Sequence, residues 1–188
     1  MRSLARLILA AFLAALACAC GARALAPPPD PALDALFAEL VQAPDAQAAA
    51  AVESRIARRW QESGSPVVDV LMQRAALAQE RQQPERALAF LRSAAELAPE
   101  YAAPWHLRAA ILFDQQDPAG ALTAVTETLR REPRHFQALT GLGAVFESLG
   151  RSEAALEAYE EALAVYPLYQ PAQQAARRLR ARSGGPAT

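Results

Sequence analysis

The sequence of 188 residues contains no lysine, so all 19 of its basic residues are arginines. A GC-rich genome accounts for this bias without any functional role. Twenty acidic residues nearly balance the arginines, and the formal net charge of −1 gives no bulk attraction to a polyanion. We therefore expect no nucleic-acid partner.

Cysteine is also scarce, because the two that occur, Cys18 and Cys20, both fall within the first 20 residues. This position excludes a disulfide or metal framework within the folded part of the chain. The two histidines, His106 and His135, are isolated, and the sequence contains no Gly-rich phosphate loop and no nucleophile elbow. We predict that the protein is not an enzyme and that it uses no metal and no cofactor.

The first residues have the pattern of a secretion signal. Arg2 and Arg6 precede an apolar run over residues 7–19, which is shorter than the about 20 residues of a membrane span. Two cleavage products are compatible with the pattern. Removal of residues 1–24 gives a soluble protein, whereas cleavage before Cys18, at a sequence that resembles a lipobox, leaves a lipidated cysteine and a membrane tether. We expect an exported, periplasmic protein, either soluble or anchored as a lipoprotein.

A period of 34 residues dominates the rest of the chain. The same step relates Pro99, Pro133 and Pro167, then Ala87, Ala121 and Ala155, then Leu88, Leu122 and Leu156. Each copy contains two short amphipathic segments with a turn between them. A fixed period of this length predicts helix–turn–helix units stacked in a row.

The third copy carries the most complete pattern, in which small and large apolar residues alternate at set positions. These residues are Leu139, Leu142, Gly143, Phe146, Ala155, Tyr159, Ala162 and Pro167. The pattern resembles the tetratricopeptide repeat (TPR) family. The earlier copies depart from it at Arg74 and Arg108, where the family prefers Leu, and at Thr128, where it prefers Ala. The resemblance implies an all-α solenoid of helical hairpins, in which each repeat buries its apolar face against its neighbours.

We predict an N-terminal helical hairpin before the repeats and a C-terminal capping helix after them. The predicted boundaries are 1–24 for the signal peptide, 25–31 for a Pro-rich spacer, 32–66 for the hairpin, 68–101, 102–135 and 136–169 for the three TPRs, 170–182 for the capping helix, and 183–188 for a tail. The hairpin is out of register with the repeats, because Glu53 stands where they have a signature alanine. We expect it to cover the open face of the first repeat, with Trp60 in the core.

The resemblance also implies a concave groove lined by the first helix of each repeat, where a peptide or a helix of a partner would bind. The candidate partner-binding residues are Met72, Gln73, Trp105, His106, Leu107, Phe113, Gln137 and Thr140. Some TPR proteins clamp a C-terminal carboxylate with cationic groove residues. Here the corresponding positions are Met72, Ala76, Leu107, Gln137 and Gly141. Since none of them is cationic, we expect no partner of that class.

By resemblance, the expected function is a non-catalytic protein–protein interaction module, or adaptor, in the bacterial cell envelope. The alternative is a periplasmic chaperone or secretion and assembly factor that holds client proteins in a shallow apolar groove. The partner is expected to be a protein, and the sequence has no signal for a particular oligomeric state.

Overall fold

A computed structural model describes residues 30–183 of the protein. The predicted signal peptide with Cys18, most of the predicted spacer and the last five residues lie outside the described residues. The described residues form nine α-helices and no strand. The helices are α1 (Pro31–Val41), α2 (Ala46–Trp60), α3 (Pro66–Glu80), α4 (Pro84–Leu97), α5 (Ala103–Asp114), α6 (Pro118–Arg131), α7 (Phe136–Ser148), α8 (Ser152–Val165) and α9 (Gln170–Ser183). Within this part of the chain, no helix is long and apolar enough to cross a membrane.

The turn inside each repeat has the same geometry in all three copies. Gln82, Gln116 and Gly150, which are 34 residues apart, adopt left-handed backbone conformations with φ of 56°, 60° and 72°. The following N–H donates to a carbonyl five residues back, as in the bond of 2.8 Å from Arg151 to Phe146. This is the Schellman way of ending a helix. Only the third copy uses glycine there, so the turn does not depend on glycine alone.

Small residues join the two helices of each repeat, as the sequence pattern predicted. Ala87, Ala121 and Ala155 are fully buried, at 0% exposure. Gly143 lies opposite in the third repeat, where an added Cβ would meet the ring of Tyr159. Close approach of the helix backbones therefore depends on these positions. The all-α, TPR-type fold that the sequence predicted is confirmed.

A buried arginine, which the sequence analysis did not single out, connects the first two repeats. The guanidinium of Arg131 donates to the carbonyl of Pro99 and to the carboxylate of Glu127. It also lies over the ring of Trp105, 4.7 Å from the ring centroid. A planar, permanently charged group with several donors suits such a site, because it can satisfy main-chain and carboxylate oxygens at the same time.

The last helix, α9, packs against α8 through a small apolar face. Ala172, Ala175, Ala176 and Leu179 are buried there, and the arginines of α9 point outward. Arg178 pairs with Glu147 of α7 at 2.6 Å, and Arg180 pairs with Glu160 of α8 at 2.7 Å. The Arg180–Glu160 pair is exposed on both sides and contributes at most about 1 kcal/mol, whereas the Glu147 side chain is only 18% exposed. The helix covers the apolar end of the solenoid, as a capping helix should.

The N-terminal hairpin, α1 and α2, is not where we expected it. It packs against the turns that precede α7 and α9, far along the chain, and leaves the open face of the first repeat uncovered. The ring of Trp60 stacks on His135 at 4.0 Å and lies 5.3 Å from Phe136. Burial raises the pKa of the Glu53 carboxyl, and the neighbouring hydroxyl of Tyr166 opposes this rise. The expectation that the hairpin covers the first repeat is therefore wrong.

Two features of the sequence explain this placement. Glu53 replaces the small residue that lets a repeat close, so the hairpin cannot simply continue the solenoid. The aromatic residues Phe136, Tyr166 and Tyr169 form a cluster near the third repeat with ring centroids 5.0–5.3 Å apart, and this cluster offers apolar surface to Trp60. An ion pair of 2.8 Å between Arg134 and Asp34 of α1 adds to the same contact.

Candidate functional site

The three first helices of the repeats, α3, α5 and α7, line one cavity of about 630 Å³, which we call the central cavity. Helix α2 forms its remaining wall. Its lining residues are Ala57, Trp60, Gln61, Asp69, Met72, Gln73, Ala76, Tyr101, Ala103, His106, Leu107, His135 and Gln137. Five predicted groove residues are therefore brought together, namely Met72, Gln73, His106, Leu107 and Gln137.

A second, smaller cavity of about 240 Å³ lies between α5 and α7. It shares His106 and Gln137 with the central cavity and is also lined by Phe113, Gly141 and Ala144. The predicted groove residue Phe113 lies here, with 37% of its surface exposed. Because His106 and Gln137 line both cavities, the two cavities form successive parts of one concave surface.

Trp105 and Thr140, which were also predicted as groove residues, are not among the residues that line either cavity. The Trp105 ring lies beneath Arg131, at the junction of two repeats. The hydroxyl of Thr140 donates to the carbonyl of Phe136 within α7, at 2.9 Å. We therefore leave both residues out of the candidate site.

Five lining residues lie outside the first helices of the repeats, where the groove was predicted: Ala57, Trp60, Gln61, Tyr101 and His135. The hydroxyl of Tyr101 donates to the carbonyl of Gln61 at 3.0 Å, which fastens the end of α2 to the beginning of α5. Tyr101 and His135 stand one period apart, at the turn before a first helix. This shared position in the repeat could have identified Tyr101 and His135 as neighbours of the groove. Nothing local in the sequence indicates that Trp60 packs against these turns.

The two histidines lie side by side at the wall of the central cavity, with ring centroids 4.4 Å apart. Burial lowers the pKa of His106, and burial followed by repulsion from His106 lowers the pKa of His135 well below its ordinary value. The Nδ1 atom of His135 accepts the N–H of Ala138 at 3.3 Å and so caps α7. Both rings are therefore neutral at neutral pH, and they give the wall no positive charge.

The central cavity has few charged lining residues. Asp69 supplies the one carboxylate among the lining residues, and it accepts a hydrogen bond from the hydroxyl of Ser63. No arginine of the described chain lines this cavity. Within residues 30–183, no group of three or more His, Cys, Asp or Glu side chains is arranged to hold a metal ion. The surface can provide apolar contact and amide hydrogen bonds, and it offers little charge.

Comparison with known proteins identifies the family. A sequence model of the family described as Tetratricopeptide repeat matches residues 106–170. A TPR repeat-containing protein of Rhizobium etli is 35% identical over 146 residues, which cover 78% of this chain and 72% of that protein. The chain belongs to the tetratricopeptide repeat family. TPR proteins are generally non-catalytic interaction modules, so family membership supports a protein as the kind of partner.

Solved TPR structures have the same fold. The first TPR of Spaghetti (RPAP3), bound to the HSP90 peptide SRMEEVD, has a TM-score of 0.61 and 18% identity, and the match covers 64% of this chain and 96% of that one. The Arabidopsis OM64 TPR domain has a TM-score of 0.59 and 24% identity, over 62% of this chain and 96% of that one. At these identities the likeness concerns the TPR fold.

Proposed function

We propose that this TPR protein is a non-catalytic adaptor that holds a segment of a partner protein in the central cavity. The observation that carries the proposal is the convergence of the first helices of all three repeats on one cavity of about 630 Å³. Pockets of about 300–1,000 Å³ are large enough to bury a ligand of several side chains. Peptide binding by a TPR neighbour supports the same function, since the Spaghetti domain is bound to a peptide of HSP90.

The lining residues specify the chemistry of the bound segment. Met72 and Leu107 provide apolar contact for an anchoring side chain, and Leu107 is 38% exposed in the unbound protein. The side-chain amides of Gln73 and Gln137 can donate to and accept from the main chain of an extended segment or the end of a helix. Because Asp69 is the one charged lining residue, the segment should be neutral or weakly basic. An acidic tail such as SRMEEVD would find no cation in this cavity.

The proposed setting is the bacterial cell envelope. The apolar run over residues 7–19 supports export, with either a soluble product after removal of residues 1–24 or a lipid anchor on Cys18. Mass spectrometry of the N-terminus of the protein purified from native cells tests this proposal. A chain that begins after residue 24, or a lipidated Cys18, is expected. An intact chain beginning at Met1 and recovered from the cytosol would contradict export.

Site-specific photocrosslinking tests the binding site. A photoreactive amino acid placed at Leu107 is expected to give one adduct of discrete mass in cells. The control position is Leu97 of α4, which is 60% exposed and is not among the residues lining the central cavity. Met72→Arg, introduced together with the crosslinker at Leu107, should remove the adduct. Circular dichroism confirms that this variant remains folded.

The pattern of adducts separates the two proposed roles. A single adduct from Leu107 supports an adaptor, and a ladder of many adducts that Met72→Arg also removes supports the chaperone that holds several clients. Equal labelling from Leu97, or labelling from Leu107 that Met72→Arg leaves unchanged, would contradict both roles for the central cavity.

A further inference from the structure

One face of α3 is exposed in the first repeat, although its counterparts in the next two repeats are buried. Val67, Val70 and Leu77 follow one another along this face and are 62%, 45% and 43% exposed. The residues one and two periods after Leu77 are Ile111 and Val145, which are only 3% and 1% exposed. The first repeat therefore has the same apolar stripe as the others, but no helix packs over it in the described chain.

The cover in the other repeats is a helix. Helix α4 packs against α5, and helix α6 packs against α7, so in each case the second helix of one repeat covers the first helix of the next. The hairpin that precedes α3 in the chain is packed instead against the turn before α7, through Trp60 and His135. No helix among residues 30–183 takes the place that α4 and α6 fill elsewhere.

The uncovered face is cationic at its edges. Arg74 of α3, Arg81 at the C-terminal end of that helix and Arg86 of α4 surround a depression of about 230 Å³, which is also lined by Leu77 and Phe90. In the described chain, none of these three guanidinium groups lies within ion-pair distance of a carboxylate. Such a grouping favours a ligand that brings its own negative charge.

The second repeat shows where that charge would stand. The residue one period after Arg81 is Gln115, and its side-chain amide donates to the carboxylate of Glu85 at 2.7 Å. Glu85 lies in the first turn of α4, the helix that covers this face in the second repeat. A helix that covered the first repeat in the same way would place a carboxylate beside Arg81, where an ion pair would replace the neutral hydrogen bond.

We propose that the exposed face of α3 is a second docking surface, which takes an amphipathic helix of another protein with an apolar stripe and carboxylates directed at Arg74 and Arg81. A second copy of this chain suits the surface poorly. The same face of a second copy carries the same three arginines and no carboxylate among the residues that line the depression, and the outer side of α9 also carries arginines. The docking surface shares no lining residue with the central cavity, so the two sites are separate.

The test uses a peptide with the sequence of α4, residues 84–97, held helical by a side-chain staple, labelled with a fluorophore and capped at both ends. Fluorescence anisotropy measures its binding to the whole protein. Saturable binding is expected, and Leu77→Glu should abolish it. Arg81→Glu should weaken it by about tenfold through like-charge repulsion, and a peptide carrying Glu85→Arg should recover that loss. Recovery by the reversed pair identifies the contact itself.

Two control variants test whether the peptide binds at the docking surface. Leu97→Glu changes an exposed leucine outside the surface, and Leu107→Arg changes the central cavity; neither should alter binding of the peptide. Absence of saturable binding, or binding that Leu77→Glu does not affect, would overturn the proposal. Loss of binding in Leu107→Arg would place the peptide in the central cavity instead. A dimer of the unliganded protein in light scattering that Leu77→Glu dissociates would show that a second copy covers the surface.

Discussion

The contact between α7 and α8 at Gly143 gives a sharp test of the packing. A Cβ added to Gly143 of α7 would lie 2.5 Å from Cε1 of Tyr159 and 2.7 Å from Cδ1 and Cζ of the same ring. The ring has little freedom to move, because Tyr159 is 2% exposed. Its hydroxyl also donates to Oε1 of Glu147 at 2.7 Å, and Glu147 in turn pairs with Arg178 at 2.6 Å.

Two opposing effects decide the stability of Gly143→Ala. Replacing glycine by alanine inside a helix favours folding by about 1 kcal/mol. Forcing a methyl group against a fixed ring costs about 1–3 kcal/mol. Gly141 lies on the same helix, and a Cβ added there meets nothing within 4 Å. Gly141→Ala should therefore show the gain alone, and the difference between the two variants should equal the steric cost, about 1–3 kcal/mol.

Urea unfolding followed by circular dichroism measures both free energies of unfolding. We expect Gly141→Ala to be more stable than the wild type and Gly143→Ala to be less stable than Gly141→Ala by the amount given above. If the two variants gained stability equally, the close approach of α7 and α8 at Gly143 would be refuted, and with it the role assigned to the small residues of the repeat pattern.

Three further outcomes are expected, all measured as free energies of unfolding in urea. Trp60→Ala should lower the free energy of unfolding by about 2–3 kcal/mol, which is less than the loss expected for a fully buried tryptophan. An unchanged free energy of unfolding would contradict the packing of the hairpin on His135. Arg131→Lys should lose about 1–3 kcal/mol, because an ammonium group cannot reproduce the planar set of donors. Wild-type stability should fall as pH drops from about 7.5 to about 5.5. Histidines of the unfolded chain bind protons near pH 6.5, whereas burial lowers the pKa of His106 and His135 in the folded protein, so protonation favours the unfolded state. His135→Asn keeps an acceptor for the cap of α7 and should flatten this slope; a slope of the same size would contradict the assignment.

The repeats could be predicted from the sequence because their determinants are local and periodic. Small residues such as Ala121 and Ala155 meet their partners within one helical hairpin, so a fixed step of 34 residues carries the whole geometry. The same register placed Met72, Leu107 and Gln137 on one surface, and the structure brings these side chains to one cavity. Positions inside a repeat were therefore accessible to sequence reasoning.

The position of the hairpin was not accessible, because it depends on contacts between residues far apart in the chain. Trp60 meets His135 across 75 positions of sequence, and no periodic signal links them. Trp105 shows a related limit. Its register within the repeat suggested the groove, but the guanidinium of Arg131 from the end of α6 covers its ring. Such tertiary contacts decide whether a side chain at a groove position is exposed to a partner or covered by another residue.

Hydrogen exchange measured by mass spectrometry tests the central claim most directly, namely that a partner segment binds in the central cavity. The measurement compares the whole protein alone and with the segment that photocrosslinking at Leu107 recovers. We predict that slower exchange on binding is concentrated in α3, α5, α7 and the last turn of α2. Slower exchange confined to the second helices α4, α6 and α8, with α5 and α7 unchanged, would contradict the claim.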